Sequence, residues 1–227
     1  MEITKTNIDG VLIVAPQIYK DNRGYFMESF NLNEFRNKSG LNEIEFVQDN
    51  ESFSKYNTLR GLHFQTGDFA QAKLVRVVQG SVFDVAVDIR EGSPTYGKWF
   101  GIELSEHNNQ QLFIPRGCAH GFYVTSREGA KFQYKCDNYY NKDSENGIIW
   151  NDKDINIEWP INNFDKEWLS ISDKDILWKS FKKYNKQTEI CVILNNKLIS
   201  SIGKSNNKLI KKKIFEENKL NELKNEL

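Results

Sequence analysis

Between residues 10 and 150 the apolar residues fall in short runs interrupted by turn signals, with almost no helical period. Val11-Leu12-Ile13-Val14-Ala15 stops at Pro16. Leu74-Val75-Arg76-Val77-Val78 is followed by Gln79-Gly80-Ser81, and Val82-Phe83-Asp84-Val85-Ala86-Val87 comes directly after. Trp99 to Leu104, Gln111 to Ile114 before Pro115, Tyr123-Val124, Lys131 to Lys135 and Ile148-Ile149-Trp150 complete the series. Each run is strand-length and rich in β-branched and aromatic residues. Gln79-Gly80-Ser81 reads as a tight hairpin turn, and only Asn33 to Ser39 reads as a short helix. Many short strands at fairly regular spacing predict an all-β jelly-roll sandwich with few short helices.

Charge divides the chain where hydropathy does not. Residues 178–227 hold 12 Lys and 5 Asp/Glu, a balance of +7, so the neutral chain leaves residues 1–177 at −7. All four prolines and thirteen of the fourteen glycines lie in the first 160 residues. The expected organisation is a jelly-roll domain over 1–177 and a Lys/Asn-rich extension over 178–227. Within the extension, residues 189–202 read as a hairpin and 208–227 as a weakly amphipathic helix. An acidic body argues against nucleic acid as a partner, because that affinity comes mainly from neutralising phosphates. No apolar run approaches the ~20 residues of a membrane span. MEITKTNIDG lacks the basic-then-apolar pattern of a secretory signal. Cys118, Cys136 and Cys191 form no CxxC pair. The expected location is cytoplasmic.

Two of the three histidines sit in glycine-flanked motifs, Arg60-Gly61-Leu62-His63-Phe64-Gln65 and Pro115-Arg116-Gly117-Cys118-Ala119-His120-Gly121. The second has the Pro-x-Gly-x-x-His spacing of the cupin branch of jelly rolls. Metal-binding cupins carry His-x-His in the first motif, and Gln65 stands where the second imidazole would be. Two histidines without a third nitrogen ligand or a well-placed carboxylate make a poor divalent-metal site, so no metal is expected. An imidazole without metal is the side chain most easily poised as a general base. If Arg60 and Lys73 shared an inner face with His63, these cations would suit an anionic substrate or an enolate.

Eight further stretches carry a resemblance. They are Asp21-Asn22-Arg23-Gly24-Tyr25-Phe26-Met27-Glu28-Ser29-Phe30, Phe46-Val47-Gln48-Asp49-Asn50, Leu59 to Gln65, Lys73-Leu74-Val75-Arg76, Val82 to Arg90, Ser93 to Trp99, Tyr134-Lys135-Cys136-Asp137-Asn138-Tyr139-Tyr140 and Ser172-Asp173-Lys174-Asp175. In this order and register they resemble the dTDP-4-dehydrorhamnose 3,5-epimerase family over nearly all of 1–177. The resemblance implies a cofactor-free and metal-free homodimer that epimerises dTDP-4-dehydro-6-deoxy-D-glucose at C3 and C5 towards dTDP-L-rhamnose. It implies His63 as base, Asp175 as its paired carboxylate, Tyr134 as acid and Lys73 beside the 4-keto oxygen. It further implies substrate contacts from Arg23, Glu28, Gln48, Asn50, Arg60, His120, Glu145 and Lys174; by residue type, Tyr139 offers a stacking face.

The residue types suit those roles. Guanidinium binds phosphate oxygens in a bidentate fork, which fits Arg23 and Arg60 to a pyrophosphate. Gln48 and Asn50 have donors and acceptors for a pyrimidine edge. The alternatives are an epimerase acting on another 4-keto sugar nucleotide, at one carbon or on a heptose, and a non-catalytic sugar-nucleotide-binding cupin. A metal-dependent cupin is weakened by Gln65.

Overall fold

In the computed structural model, which describes residues 1–182 and 184, the short apolar runs form two sheets. In chain order the elements are β1 (Glu2–Lys5), β2 (Leu12–Ala15), β3 (Ile18–Asp21), β4 (Gly24–Met27), α1 (Leu32–Ser39), β5 (Gln48–Ser54), β6 (Leu59–Gln65), β7 (Lys73–Gln79), β8 (Ser81–Asp88), β9 (Trp99–Ser105), β10 (Gln111–Ile114), β11 (Cys118–Val124), β12 (Ala130–Cys136), β13 (Glu145–Gly147), α2 (Asn163–Lys166) and α3 (Asp173–Ile176). One sheet runs β1-β2-β10-β7-β12-β5, the other β13-β6-β11-β8-β9, and β3-β4 is a separate ribbon. This is the expected cupin-like jelly roll, and one compact unit spans Met1–Phe181.

Alternation along the strands decides what lies between the sheets. Val75 and Val77 of β7, Leu112 and Ile114 of β10 and Phe132 of β12 meet Val82 and Ala86 of β8 and Phe122 and Val124 of β11. The opposite face of the six-stranded sheet is covered in part by α1, whose Phe35 packs with Phe30, Phe46 and Phe113 at centroid separations of 5.4–6.2 Å. That helix starts at Asn31, whose side chain accepts from the Glu34 amide, and stops at Gly40 with φ +76°.

Some expected elements differ. Gln79-Gly80-Ser81 is not a hairpin turn: β7 pairs with β10 and β12, while β8 pairs with β11 and β9. The turn instead carries the chain from one sheet to the other. A Cβ on Gly80 would lie 2.2 Å from the Gly129 carbonyl, so glycine is required there by packing as well as by its φ of +78°. The run Ile148-Ile149-Trp150 is not a strand. Its strand is Glu145–Gly147, and Ile148 adds only an isolated bridge to Lys179. Strand β5, QDNESFS, carries no apolar run, because its inner face lines a polar cavity. The hairpin and helix expected over 189–202 and 208–227 lie outside the described residues. No helix among the described residues is long and apolar enough to cross a membrane.

Asp88, fully buried at the end of β8, organises the following loop. Arg90 donates to it from its backbone and guanidinium at 2.8–3.0 Å, and Ser93 and Thr95 donate hydroxyls at 2.5 and 2.6 Å. Burial would raise the carboxyl's pKa, but these bonds outweigh it and hold the group well below the usual range. A depressed carboxyl contributes stability that is present above its unfolded pKa and is lost as pH falls through the folded one. Asp88→Asn should therefore cost about 3 kcal/mol at neutral pH, as for breaking a buried pair. Denaturant titrations of the two proteins should converge as pH drops below 3.8, the unperturbed value.

Candidate active site

The site begins with an irregularity in β6. Arg60 pairs with Phe122 of β11 and His63 pairs with His120, so three steps along β6 oppose two along β11. The extra residue restores parity: Arg60 and His63, which simple alternation would put on opposite faces, share the inner one. Gly61 permits the bulge. Its φ is +136°, and a Cβ there would stand 2.5 Å from the Gly121 Cα.

His63 meets Asp175 across 112 positions of the chain. Its Nε2 lies 2.5 Å from Asp175 Oδ1. The same oxygen accepts the Trp178 indole N–H at 3.2 Å, and Oδ2 accepts the Gly61 amide at 3.4 Å. Ser172 caps α3 by accepting the Asp175 amide at 3.2 Å, which sets the carboxylate's height above β6. Burial would raise the Asp175 pKa, but the bonds from His63, Gly61 and Trp178 lower it overall. The group is therefore an acceptor at neutral pH, so Nε2 faces it as the donor and Nδ1 is the ring nitrogen turned away from the carboxylate. The Trp178 ring stands edge-on to the imidazole, with centroids 6.4 Å apart. It fits because residue 147 is glycine: a Cβ there would be 2.4 Å from the ring.

A cavity of about 290 Å³ opens beside this pair, lined by His63, Lys73, Tyr134, Gln48, Asn50 and Glu145. The Lys73 ammonium lies 5.9 Å from the Tyr134 ring centroid. Burial lowers the Lys73 pKa, opposed by Cys136, Asp84 and Glu145. Burial also raises the Tyr134 pKa, so its hydroxyl keeps its proton at neutral pH. Gln48 donates to Asn50 Oδ1 at 3.0 Å and accepts the Tyr140 amide, which ties two cavity residues to the 138–141 loop.

His63 and Glu145 also line a neighbouring cavity of about 470 Å³ with Arg60, Lys174 and Asp175. Glu145 pairs with Lys174 and accepts the Tyr140 hydroxyl at 2.9 Å. Arg60 donates from Nε to Ser54 Oγ at 3.0 Å, which leaves its terminal nitrogens available. Gln65 is fully committed to backbone: its amide nitrogen bonds Phe69 and Tyr139 carbonyls, and its oxygen takes the Asn141 amide. Among the described residues no group of three His, Cys, Asp or Glu is placed to hold a metal ion.

Ten of the sequence-derived residues therefore converge on two cavities that share a wall: His63, Lys73, Tyr134, Asp175, Gln48, Asn50, Arg60, Glu145 and Lys174 line them, and His120 is buried next to His63 on β11. Three residues lie apart. Arg23 is held by Asp21 at the tip of the β3–β4 ribbon, Glu28 follows that ribbon, and Tyr139 is 62% exposed beyond the cavity wall. Trp178 and Asp84 carried no signal in sequence. The tryptophan lies just past the compositional boundary, and Asp84 is one carboxylate inside an apolar strand.

Together these groups make an oriented base, a fixed counter-charge, a protonated phenol and a cation, a set suited to moving a proton on carbon next to a carbonyl. Comparison with known proteins gives this chemistry a context. The family model described as dTDP-4-dehydrorhamnose 3,5-epimerase matches residues 5–183. A dTDP-4-dehydrorhamnose 3,5-epimerase of Shigella flexneri is 54% identical over 181 residues, 80% of this chain and 96% of that one. The crystal structure of the enzyme so named from Elizabethkingia anophelis superposes with a TM-score of 0.76 at 49% identity, covering 81% of this chain and 97% of that one. A dTDP-6-deoxy-D-glucose-3,5-epimerase of Legionella pneumophila, solved with dTDP-4-keto-L-rhamnose, gives a TM-score of 0.75 at 46% identity, covering 80% and 93%.

The Trp178 bond is directly testable. Trp178→Phe keeps the ring against His63 but removes the N–H that Asp175 accepts. Loss of one hydrogen bond to a charged group, about 1.5 kcal/mol, should lower kcat about tenfold with KM nearly unchanged. Steady-state kinetics showing an unaltered kcat would remove the indole from the dyad's support.

Proposed function

Because the chain belongs to the dTDP-4-dehydrorhamnose 3,5-epimerase family, we propose that His63, Asp175, Lys73 and Tyr134 invert C3 and C5 of dTDP-4-dehydro-6-deoxy-D-glucose. The product is dTDP-4-dehydro-L-rhamnose, on the route to dTDP-L-rhamnose. The observation that carries this reading is the 2.5 Å His63–Asp175 contact at the wall of a cavity that Lys73 and Tyr134 also line.

A proton on carbon next to a ketone becomes removable when the developing enolate is stabilised. The Lys73 ammonium supplies that charge at the 4-keto oxygen in a partly dry cavity. His63 takes the proton on Nδ1, and the resulting imidazolium is held by Asp175 through Nε2. Inversion then needs a proton from the other face of the sugar, and the Tyr134 hydroxyl delivers it. Each cycle removes and returns one proton per carbon, with no change of oxidation state, so no cofactor or metal is assigned a step. Arg60 and Lys174 take the pyrophosphate, Gln48 and Asn50 the thymine edge, Glu145 and His120 the sugar side, and Tyr139 stacks on the base.

Arg23 and Glu28 fit this scheme through a second copy. The β3–β4 ribbon belongs to neither sheet and exposes Tyr19, Tyr25 and Phe26 at 57–68%. It carries Arg23 away from both cavities of its own chain. A homodimer in which the ribbon packs on a partner would cover the aromatic residues and bring Arg23 and Glu28 to the partner's substrate. Mixing Arg23→Ala with His63→Ala protein tests this, since each heterodimer then holds one native site. Activity should return to roughly a quarter of wild type for random pairing. No recovery after subunit exchange would place Arg23 in its own chain's site.

The proton roles separate in heavy water. His63→Ala should lose at least ~10²-fold in turnover and in solvent exchange at C3 and C5. Tyr134→Phe keeps the ring and the base, so it should wash deuterium into the sugar while inverting C5 poorly. NMR of recovered sugar decides this: normal C5 inversion by Tyr134→Phe would pass the acid role to another donor, such as Tyr140 beside Glu145.

A further inference from the structure

Residues 137–141, between β12 and β13, form neither helix nor strand, yet Tyr140 among them lines the first cavity. Irregular backbone in such a place has to find its hydrogen-bond partners in side chains. Some of them tie this segment to residues 68–72: Gln71 donates to the Asn138 carbonyl at 2.7 Å, and Asn138 donates to the Asp68 carbonyl at 2.9 Å. The remaining tie is Gln65, the last residue of β6.

Gln65 stands two residues after His63, and β13 pairs with both, Glu145 opposite Gln65 and Gly147 opposite His63. Alternation therefore turns its side chain to the same side as the imidazole, where it is 7% exposed at the cavity wall. Its Nε2 donates to the Phe69 carbonyl at 2.8 Å and the Tyr139 carbonyl at 3.2 Å, and its Oε1 accepts the Asn141 N–H at 2.6 Å. The Tyr139 carbonyl and the Asn141 N–H belong to the two peptides that flank Tyr140. Tyr140 passes the constraint on: its own N–H donates to Gln48 Oε1 at 3.2 Å and its hydroxyl to Glu145 Oε2 at 2.9 Å.

We propose that Gln65 is a positioning residue for binding of the sugar nucleotide: by clamping both peptides beside Tyr140, it fixes the two side chains that Tyr140 bonds, Gln48 and Glu145. This rests on the binding roles given to those two residues above. The clamp needs two donors and an acceptor on one side chain, which a carboxamide supplies. An ionised glutamate of the same length offers acceptors only and sets a carboxylate against two carbonyls. Methionine fills similar space and makes none of the bonds. With both amide protons spent on backbone, Gln65 acts through Tyr140 rather than on the sugar. Asp175 takes its donors from His63, Gly61 and Trp178 instead, so the proton-transfer pair stands outside the clamp.

Kinetics and amide exchange together test this. In Gln65→Met and Gln65→Glu, KM should rise about tenfold while kcat stays within about threefold of native. The Tyr140 amide, which Gln65 does not touch, should exchange with solvent about tenfold faster in both variants. The Leu62 and Ile148 amides, which pair β6 with the residue after β13, should keep their native protection. A side chain that only fills space would leave KM and Tyr140 exchange native in the methionine variant, and that result would overturn the proposal. A loss confined to kcat would overturn it as well. Should neither variant fold, exchange in the native enzyme decides: Asn141 and Tyr140 amides as unprotected as an open loop would overturn it. The kinetics use whichever sugar nucleotide the native enzyme turns over, so a different substrate would revise the function proposed above and leave this test standing.

Discussion

The hydrogen bond between His63 Nε2 and Asp175 Oδ1 joins residues 112 positions apart, and several local features exist to make it possible. The β6 bulge turns His63 inward together with Arg60. Gly61 allows the bulge and offers its amide to the same carboxylate. Ser172 caps the short turn that presents Asp175, and Gly147 leaves the room that Trp178 occupies while donating to it. A carboxylate this buried would drift towards its neutral form. Its three donors reverse that tendency, and the resulting carboxylate orients the His63 ring through Nε2.

The cavity is the wet end of the same interior that forms the core. Along the inner row of β7, Lys73 is followed by Val75 and Val77; along β12, Phe132 is followed by Tyr134 and Cys136. On β8, Asp84 sits between Val82 and Ala86, and on β11, His120 sits between Cys118 and Phe122. Nothing in the backbone separates the two regions. A change of side-chain type along continuous strands turns packed core into site, so the rigid apolar half holds the reactive half in register. Filling the polar half with aliphatic residues would favour stability over function, the usual trade at such sites.

Strand-length apolar runs made most of the sandwich legible in sequence, since β2, β7, β8, β9, β10 and β12 all coincide with runs bounded by Gly, Pro or polar turns. The signal failed where its physical basis was absent. Strand β5 faces a polar cavity on its inner side and shows polar or exposed residues on its outer side, so it has no hydrophobic alternation to read. The Gly80 turn was misassigned because a turn between sheets and a turn within a hairpin both need a glycine at positive φ. What distinguishes them is which strands pair next, a long-range property. The convergence of His63, Lys73, Tyr134 and Asp175 was carried by motif resemblance rather than by periodicity. The support around them was not visible, because Trp178 lies just past the compositional boundary and Asp84 is one carboxylate inside an apolar strand.

The spacing of Arg60 and His63 shows how sequence and structure constrain each other here. Three residues apart on a regular strand, they should face opposite sides, and a guanidinium on the outer face could not share a cavity with the base. The glycine between them is a weak strand former, which read alone argues against the strand. Both difficulties vanish together once Gly61 takes the extra residue of a bulge against Gly121, since the backbones can then approach where any Cβ would collide. The glycine pair thus determines which residues of β6 face inward. It sets the geometry in which the Arg60 guanidinium and the His63 imidazole line one cavity wall, and a side chain at either position would undo that parity before it touched either group.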